Sequence, residues 1–237
     1  MSMNEPTLKN AAPPPMTVAL QSIAAQAFVR SAALRRRVRN AGEVADFIDW
    51  QVSQFGRATV YRTRERLWSA LRVHIDSEHS WHGLEFGVAW GYATGWWLNK
   101  LPETPGSTWD GFDRFTGLPR AWREHEKGTF DAGGIPPSIN DPRLTWHIGD
   151  IEETAKEFDH TAVAEGGRLI LFDLDIYEPT VTAWNLVQPL LQPGDLLYFD
   201  EAMDADERRV LTELVLPSHE FKYVGCTSLA LALLVER

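Results

Sequence analysis

The sequence predicts a doubly wound α/β fold: a seven-stranded, mostly parallel sheet carrying an N-terminal helical extension. Three observations predict it. From Trp81 onward, short apolar runs alternate with helical segments, the pattern of parallel strands joined by crossover helices. The first of these runs ends in an acid and a glycine, Leu84-Glu85-Phe86-Gly87, with a further glycine at Gly91. Glycines at such a turn let the backbone bend and approach a ligand in the crevice beyond the carboxyl ends of the strands. Finally, each of the first five runs brings an acid to that same edge.

In order along the chain, residues 1–15 are polar and end in three consecutive prolines, which predicts a disordered or extended tail. Helical spacing begins at Met16 with Val18, Leu20, Ile23, Ala27, Phe28 and Leu34, and the Arg35-Arg36-Arg37 run lies on it as a solvated face. Ala41-Gly42 is expected to break this helix, with Glu43–Phe55 and Thr63–His74 as the next two. Residues 16–80 then form a helical cap. Such helices cannot bury their apolar faces alone, so they are the expected surface for docking on residues 81–237 or for a homodimer. Strands are expected near 83–87, 108–113, 144–148, 168–173, 195–200, 219–224 and 228–235. Helices are expected near 91–100, 119–126, 151–158, 179–191 and 203–215. The last two strands, separated by Gly225-Cys226-Thr227, read as an antiparallel hairpin closing the sheet.

Composition narrows the function. The 237-residue chain carries a formal net charge of −10, which opposes a general nucleic-acid binder, because phosphate binding needs a basic footprint. No apolar run reaches the roughly 18 residues of a membrane span. The first fifteen residues lack the basic start and apolar core of a signal peptide. A single cysteine, Cys226, excludes an intrachain disulfide and reads as a small buried hydrophobe in a reducing compartment. A cytoplasmic protein acting on a small molecule is the expectation, with no nucleic acid or membrane as partner.

The strand ends carry the functional signal. In order they read Glu85-Phe86-Gly87, Phe112-Asp113, Gly149-Asp150, Phe172-Asp173-Leu174-Asp175 and Phe199-Asp200-Glu201. One acid at a strand end is commonplace, often a helix N-cap. Five facing one crevice would repel one another and raise their pKa values unless cations or hydrogen-bond donors meet them.

These segments resemble class I S-adenosylmethionine-dependent methyltransferases, with their Rossmann-like sheet, and among them the macrocin O-methyltransferase group. The likeness rests on Leu84–Gly91, Phe112–Pro119, Asp173–Thr180 and Pro193-Gly194-Asp195 leading to Asp200-Glu201. The resemblance implies that Glu85, Gly87 and Gly91 hold the methionine part of the cofactor. It implies that Asp113, with Arg114 beside it, accepts from the ribose hydroxyls, and that Asp150 and Ile151 receive the adenine. It further implies Asp173 or Asp175 as the base of an O-methyl transfer, and Asp173, Asp200 and Glu201 as oxygen ligands for Mg²⁺. Two departures stand out: Tyr92 replaces the usual next glycine, and Asp200-Glu201-Ala202 replaces a pair of aspartates and a tyrosine.

Two rival readings remain. Asp113 would equally suit the ribose of NAD in an oxidoreductase, although the G-x-G-x-x-G fingerprint is absent. A catalytically silent protein of the same fold, scaffolding a partner through its N-terminal helices, is the other.

Overall fold

Buried apolar runs become strands where the sequence alternates with helical segments: β1 (Trp81–Phe86), β2 (Thr108–Asp113), β3 (Leu144–Ile148), β4 (Gly167–Phe172), β5 (Leu196–Phe199), β6 (Phe221–Cys226) and β7 (Leu231–Val235). They form one sheet in the order β3-β2-β1-β4-β5-β7-β6. The first five are parallel, β7 runs antiparallel to β5, and β6 antiparallel to β7. This is the seven-stranded Rossmann-like methyltransferase architecture. β1, β4 and β5 are near-continuous apolar runs because helices cover both faces of a parallel sheet.

The computed structural model describes residues 23, 25, 27–163 and 165–237. The tail expected over residues 1–15 and the start of the helix expected from Met16 lie outside the described residues. The helices are α1 (Ala32–Phe55), α2 (Arg64–Arg72), α3 (Tyr92–Leu98), α4 (Ile151–Glu157), α5 (Tyr177–Val187) and α6 (Ala205–Val210), the last continuing into a π-type turn. The residues from Phe47 to Arg237 form one compact unit, and the described residues before Phe47 belong to a second. No described helix is long and apolar enough to cross a membrane.

Two cores position the site. On one side of the sheet, Leu67, Trp68 and Leu71 of α2 and Trp97 of α3 pack against Trp109, Leu169, Leu171 and Tyr198. On the sheet itself, Phe86, Phe112, Phe172 and Phe199 fall in register on four adjacent strands. Their rings stack in a row, with centroids 4.8 Å apart for Phe86–Phe112, 5.7 Å for Phe86–Phe172 and 4.5 Å for Phe172–Phe199. Three of these phenylalanines immediately precede an aspartate at the strand end, so the row ends where the acids begin.

Three expectations require correction. Ala41-Gly42 does not break the helix: α1 runs through both, because an interior glycine costs only about 1 kcal/mol. The break falls earlier, at Ser31: residues 27–30 are helical before it, and the Ser31 hydroxyl accepts the Leu34 N–H at 3.2 Å as the N-cap of α1. Residues 119–126 form no helix. There Trp122 and His125 exchange backbone hydrogen bonds of 2.9 and 2.8 Å around Arg123 in the left-handed region. A helix this short carries the full nucleation cost, whereas the turn lets Arg120 reach Glu178 at 2.9 Å and Arg123 reach Asp204 at 2.5 Å. Finally, β6 extends to Cys226 through a bulge between Tyr223 and Gly225, rather than stopping before Gly225. Its outer edge pairs with the chain around Val60: Tyr61 N–H donates to the Cys226 carbonyl at 2.7 Å and Cys226 N–H to Thr59 at 2.9 Å. That pairing covers an otherwise open edge.

Candidate active-site cleft

A cleft of about 530 Å³ opens at the carboxyl ends of β1 to β5. Glu85 and Gly87 reach it from the β1 turn, Asp113 and Arg114 from β2, and Asp150 and Ile151 from β3. Asp173 and Asp175 line it after β4, and Asp200 and Glu201 after β5. Nine of these ten lie beyond or at the last residue of a strand; only Glu85 lies within one.

Gly87 is required by geometry. Its φ is +89°, and a Cβ there would lie 1.8 Å from the carbonyl oxygen of Asp173. That closeness comes from two backbone hydrogen bonds, Gly87 N–H to Phe112 at 2.9 Å and Asp173 N–H to Phe86 at 2.8 Å. They pin the three strand ends together. Gly91 plays a different part from the one expected. It stands outside the cleft lining, at φ +75° before α3, where a Cβ would meet the ring of Pro137 at 2.7 Å. Tyr92, the departure noted beside it, is exposed and donates to Glu65 of α2 at 2.8 Å.

Asp113 holds the turn from the neighbouring strand. Its Oδ2 accepts the N–H groups of Val88 and Ala89 at 2.8 and 2.7 Å, and its Oδ1 accepts that of Phe115 at 2.6 Å. A carboxylate offers about four acceptor directions, so Asp113 keeps about one for a ligand rather than the two that paired ribose hydroxyls would use.

Glu85 lies in β1 with 1 % of its surface exposed. Its Oε2 accepts from the Thr94 hydroxyl at 2.6 Å and from the Trp109 indole N–H at 2.9 Å. The ring of Trp109 fits because Gly83 has no side chain; a Cβ there would lie 2.0 Å from the indole. Burial pushes the Glu85 carboxyl up to about 8, against the opposing pull of the Thr94 and Trp109 donors.

Asp150 occupies the N-cap position of α4 but makes no capping hydrogen bond with its side chain. It faces Arg114 instead, Oδ1 to Nη1 at 3.4 Å, while Arg114 Nε donates to Thr116 at 2.7 Å. The Asp150 carboxylate is therefore open to the cleft, with buried Ile151 next to it. Above the cleft stands an aromatic wall: Trp90, 64 % exposed, meets Phe130 edge to face at 6.2 Å.

After β4 and β5 the acids crowd together. Burial and then Asp200 raise both Asp173 and Asp175; Asp173 rises well above the usual range and Asp175 to about 7. Burial, then Asp200 and Asp175, push Glu201 up to about 8. Burial also raises Asp200, opposed first by Arg64. The physical cause is removal from water, which disfavours the charged form of each carboxyl.

The Mg²⁺ expectation for Asp173, Asp200 and Glu201 does not fit this arrangement. Among the described residues, no three His, Cys, Asp or Glu side chains converge where they could hold an ion. The Asp200 oxygens already take the Tyr198 hydroxyl and, at 3.4 Å, the Arg64 guanidinium. Glu201 faces Arg123 at 3.9 Å and donates its backbone N–H to Glu207 at 3.0 Å.

Arg64, Arg123 and Glu207 are the residues that the strand-end pattern did not single out. Glu207 resembles any acid in a first helical turn, yet it is fully buried and its carboxyl is raised well above the usual range by burial, then by Asp175 and Glu201. No local signal marks it.

No protein-family model and no curated protein matches the chain. Solved structures do. CalS11, a calicheamicin methyltransferase, is 18 % identical over 99 % of this chain and 98 % of its own, with a TM-score of 0.54. Apo CalS11, described as a TDP-rhamnose 3'-O-methyltransferase of calicheamicin biosynthesis, is 22 % identical over 72 % of this chain and 76 % of its own, with a TM-score of 0.51. At these identities the likeness is one of architecture: this chain has the fold of those methyltransferases.

Proposed function

We propose that the chain is an S-adenosylmethionine-dependent methyltransferase that methylates a hydroxyl of a small molecule, such as a sugar-bearing natural product. The observation that carries this reading is the convergence of acids from five strand ends on one cleft. When bound there, S-adenosylmethionine supplies an electrophilic methyl group on a positively charged sulfur.

The residues suit that ligand. Glu85, neutral when alone, becomes the counter-charge for an ammonium group, and Gly87 lets the turn close over it. Asp113 retains an acceptor direction for one ribose hydroxyl. Asp150, uncommitted as a cap, accepts from an adenine amino group, with Ile151 against the ring. Asp175, raised by burial and by Asp200 to about 7, lies in the range useful for a general base, and Asp173 beside it is raised in the same direction. Asp173 or Asp175 would take the proton of the acceptor hydroxyl as its oxygen receives the methyl group that the bound cofactor would supply, with the electron pair of the broken carbon–sulfur bond leaving on the thioether product. Acids around the sulfonium also favour a cationic ligand electrostatically. The fold shared with CalS11, itself an O-methyltransferase, supports a hydroxyl as acceptor.

Calorimetric titration with S-adenosylhomocysteine and, separately, NAD tests the reading. Binding of S-adenosylhomocysteine without NAD is expected. Binding of NAD alone overturns it in favour of an oxidoreductase, and binding of neither favours a scaffold.

A further inference from the structure

Five acids, Asp173, Asp175, Asp200, Glu201 and Glu207, lie after β4 and β5 and act on one another electrostatically. Two guanidinium groups meet them from other segments. Arg123, on the connection between β2 and β3, contacts Asp204 at 2.5 Å and Glu201 at 3.9 Å. Arg64, the first residue of α2, contacts Asp200 at 3.4 Å with 41 % of its side chain exposed.

The position of Arg64 is set by packing. Trp68, one turn further along α2 on the same face, is fully buried and lies 5.8 Å from the ring of Tyr198. The Tyr198 hydroxyl donates to Asp200 Oδ1, and Arg64 meets Asp200 Oδ2. One helix thus anchors an indole beside a tyrosine and a cation over the aspartate that follows it. Arg64 and Asp200 also line a second cavity of about 320 Å³, shared with Arg62, Thr63 and Ser228, so the guanidinium stands at the seam between two spaces.

We propose that Arg64 is the built-in cation of the acceptor site and takes the place that a divalent metal ion would otherwise hold between the ends of β4 and β5. A guanidinium is always charged, so it sets a permanent positive charge against Asp200 and opposes the effect of burial on Asp200 and Asp173 without an added ion. Mg²⁺ demands near-octahedral oxygen coordination at about 2.1 Å, which would require displacing Arg64 from Asp200. Arg64 is in this sense a positioning residue that acts through the carboxylates. The inference rests on the methyltransferase reading for its purpose, but the exclusion of a metal is decided separately.

The test is a titration of the full chain, stripped with EDTA, with Mn²⁺ followed by electron paramagnetic resonance, and with S-adenosylhomocysteine by calorimetry. Wild type is expected to bind Mn²⁺ at least tenfold more weakly than Arg64→Gln, in which the carboxylates are uncovered. The gain should vanish in Arg64→Gln combined with Asp200→Asn, and should not occur in Arg64→Lys, which keeps the charge. Wild type binding Mn²⁺ as tightly as Arg64→Gln overturns the inference. So does a wild-type site that Mg²⁺ competes for at micromolar concentration, a result that does not depend on any variant folding. S-adenosylhomocysteine binding by wild type separates the two levels: its absence sinks the methyltransferase reading, whatever Mn²⁺ shows about Arg64.

Discussion

Replacing Glu85 by glutamine tests whether the first turn holds a neutral acid in the empty protein. The glutamine amide oxygen still accepts from Thr94 and Trp109, and the side chain cannot ionise. The Glu85 carboxyl lies at about 8 in the folded protein against an ordinary 4.5. Between those values the native state binds a proton that the unfolded chain has released, so this group lowers stability as pH rises through the window. The slope is about 1.4 kcal/mol per pH unit, and the whole shift amounts to about 5 kcal/mol. In a domain of this size 1 kcal/mol moves Tm by roughly 2–4 °C. The assay is thermal unfolding of both proteins from about pH 5 to about pH 8. The other raised acids titrate in both proteins and cancel in the difference. The Tm of Glu85→Gln minus that of wild type should therefore climb by roughly 3–6 °C per pH unit. A gap that stays constant with pH would refute the reasoning, because it would mean that Glu85 is already ionised in the folded protein.

Two further outcomes follow from the same geometry. Binding of S-adenosylhomocysteine at pH near 7 should release up to about one proton, as the ligand's ammonium draws Glu85 into its ionised form; calorimetry in buffers of differing ionisation enthalpy counts it, and Glu85→Gln should release correspondingly less. Gly87→Ala combines a left-handed φ with a Cβ 1.8 Å from a carbonyl oxygen that two backbone hydrogen bonds hold in place. It should lose more than about 3 kcal/mol in urea unfolding or fail to accumulate as folded protein, and a loss under about 1 kcal/mol would show that β1 and β4 are not pinned there.

The sheet was legible because strands buried on both faces write themselves as apolar runs, and the crossover rule then places their carboxyl ends on one edge. Gly167-Arg168-Leu169-Ile170-Leu171-Phe172 is such a run, and it is β4 to the residue. What stayed hidden was decided by partners remote in sequence. Residues 119–126 carry helical spacing, yet Arg120 and Arg123 find acids on α5 and at the start of α6, and the segment follows those contacts instead. Gly91 is expected to hold the cofactor because the family resemblance implies it. Its reason lies in Pro137, forty-six residues away, which no local pattern announces. Arg64 is hidden for the same cause, since its placement over Asp200 depends on how Trp68 packs.

One feature of the site nevertheless stands in the sequence in plain form. Phe112-Asp113, Phe172-Asp173 and Phe199-Asp200 repeat one dipeptide at three strand ends, and Glu85-Phe86 reverses it at the fourth. In register, the four rings form a single stacked row, each almost without exposure. The row serves the core and the site together. Its aromatic stacking joins four strands, and Asp173 and Asp200, both raised by burial, begin where it ends. Asp113, which also follows a phenylalanine of the row, gives its carboxylate to three backbone donors, the N–H groups of Val88, Ala89 and Phe115. Those donors commit Asp113 to holding the turn, whereas Asp173 and Asp200 are shifted toward the neutral acid by burial, and Asp173 further by Asp200 beside it.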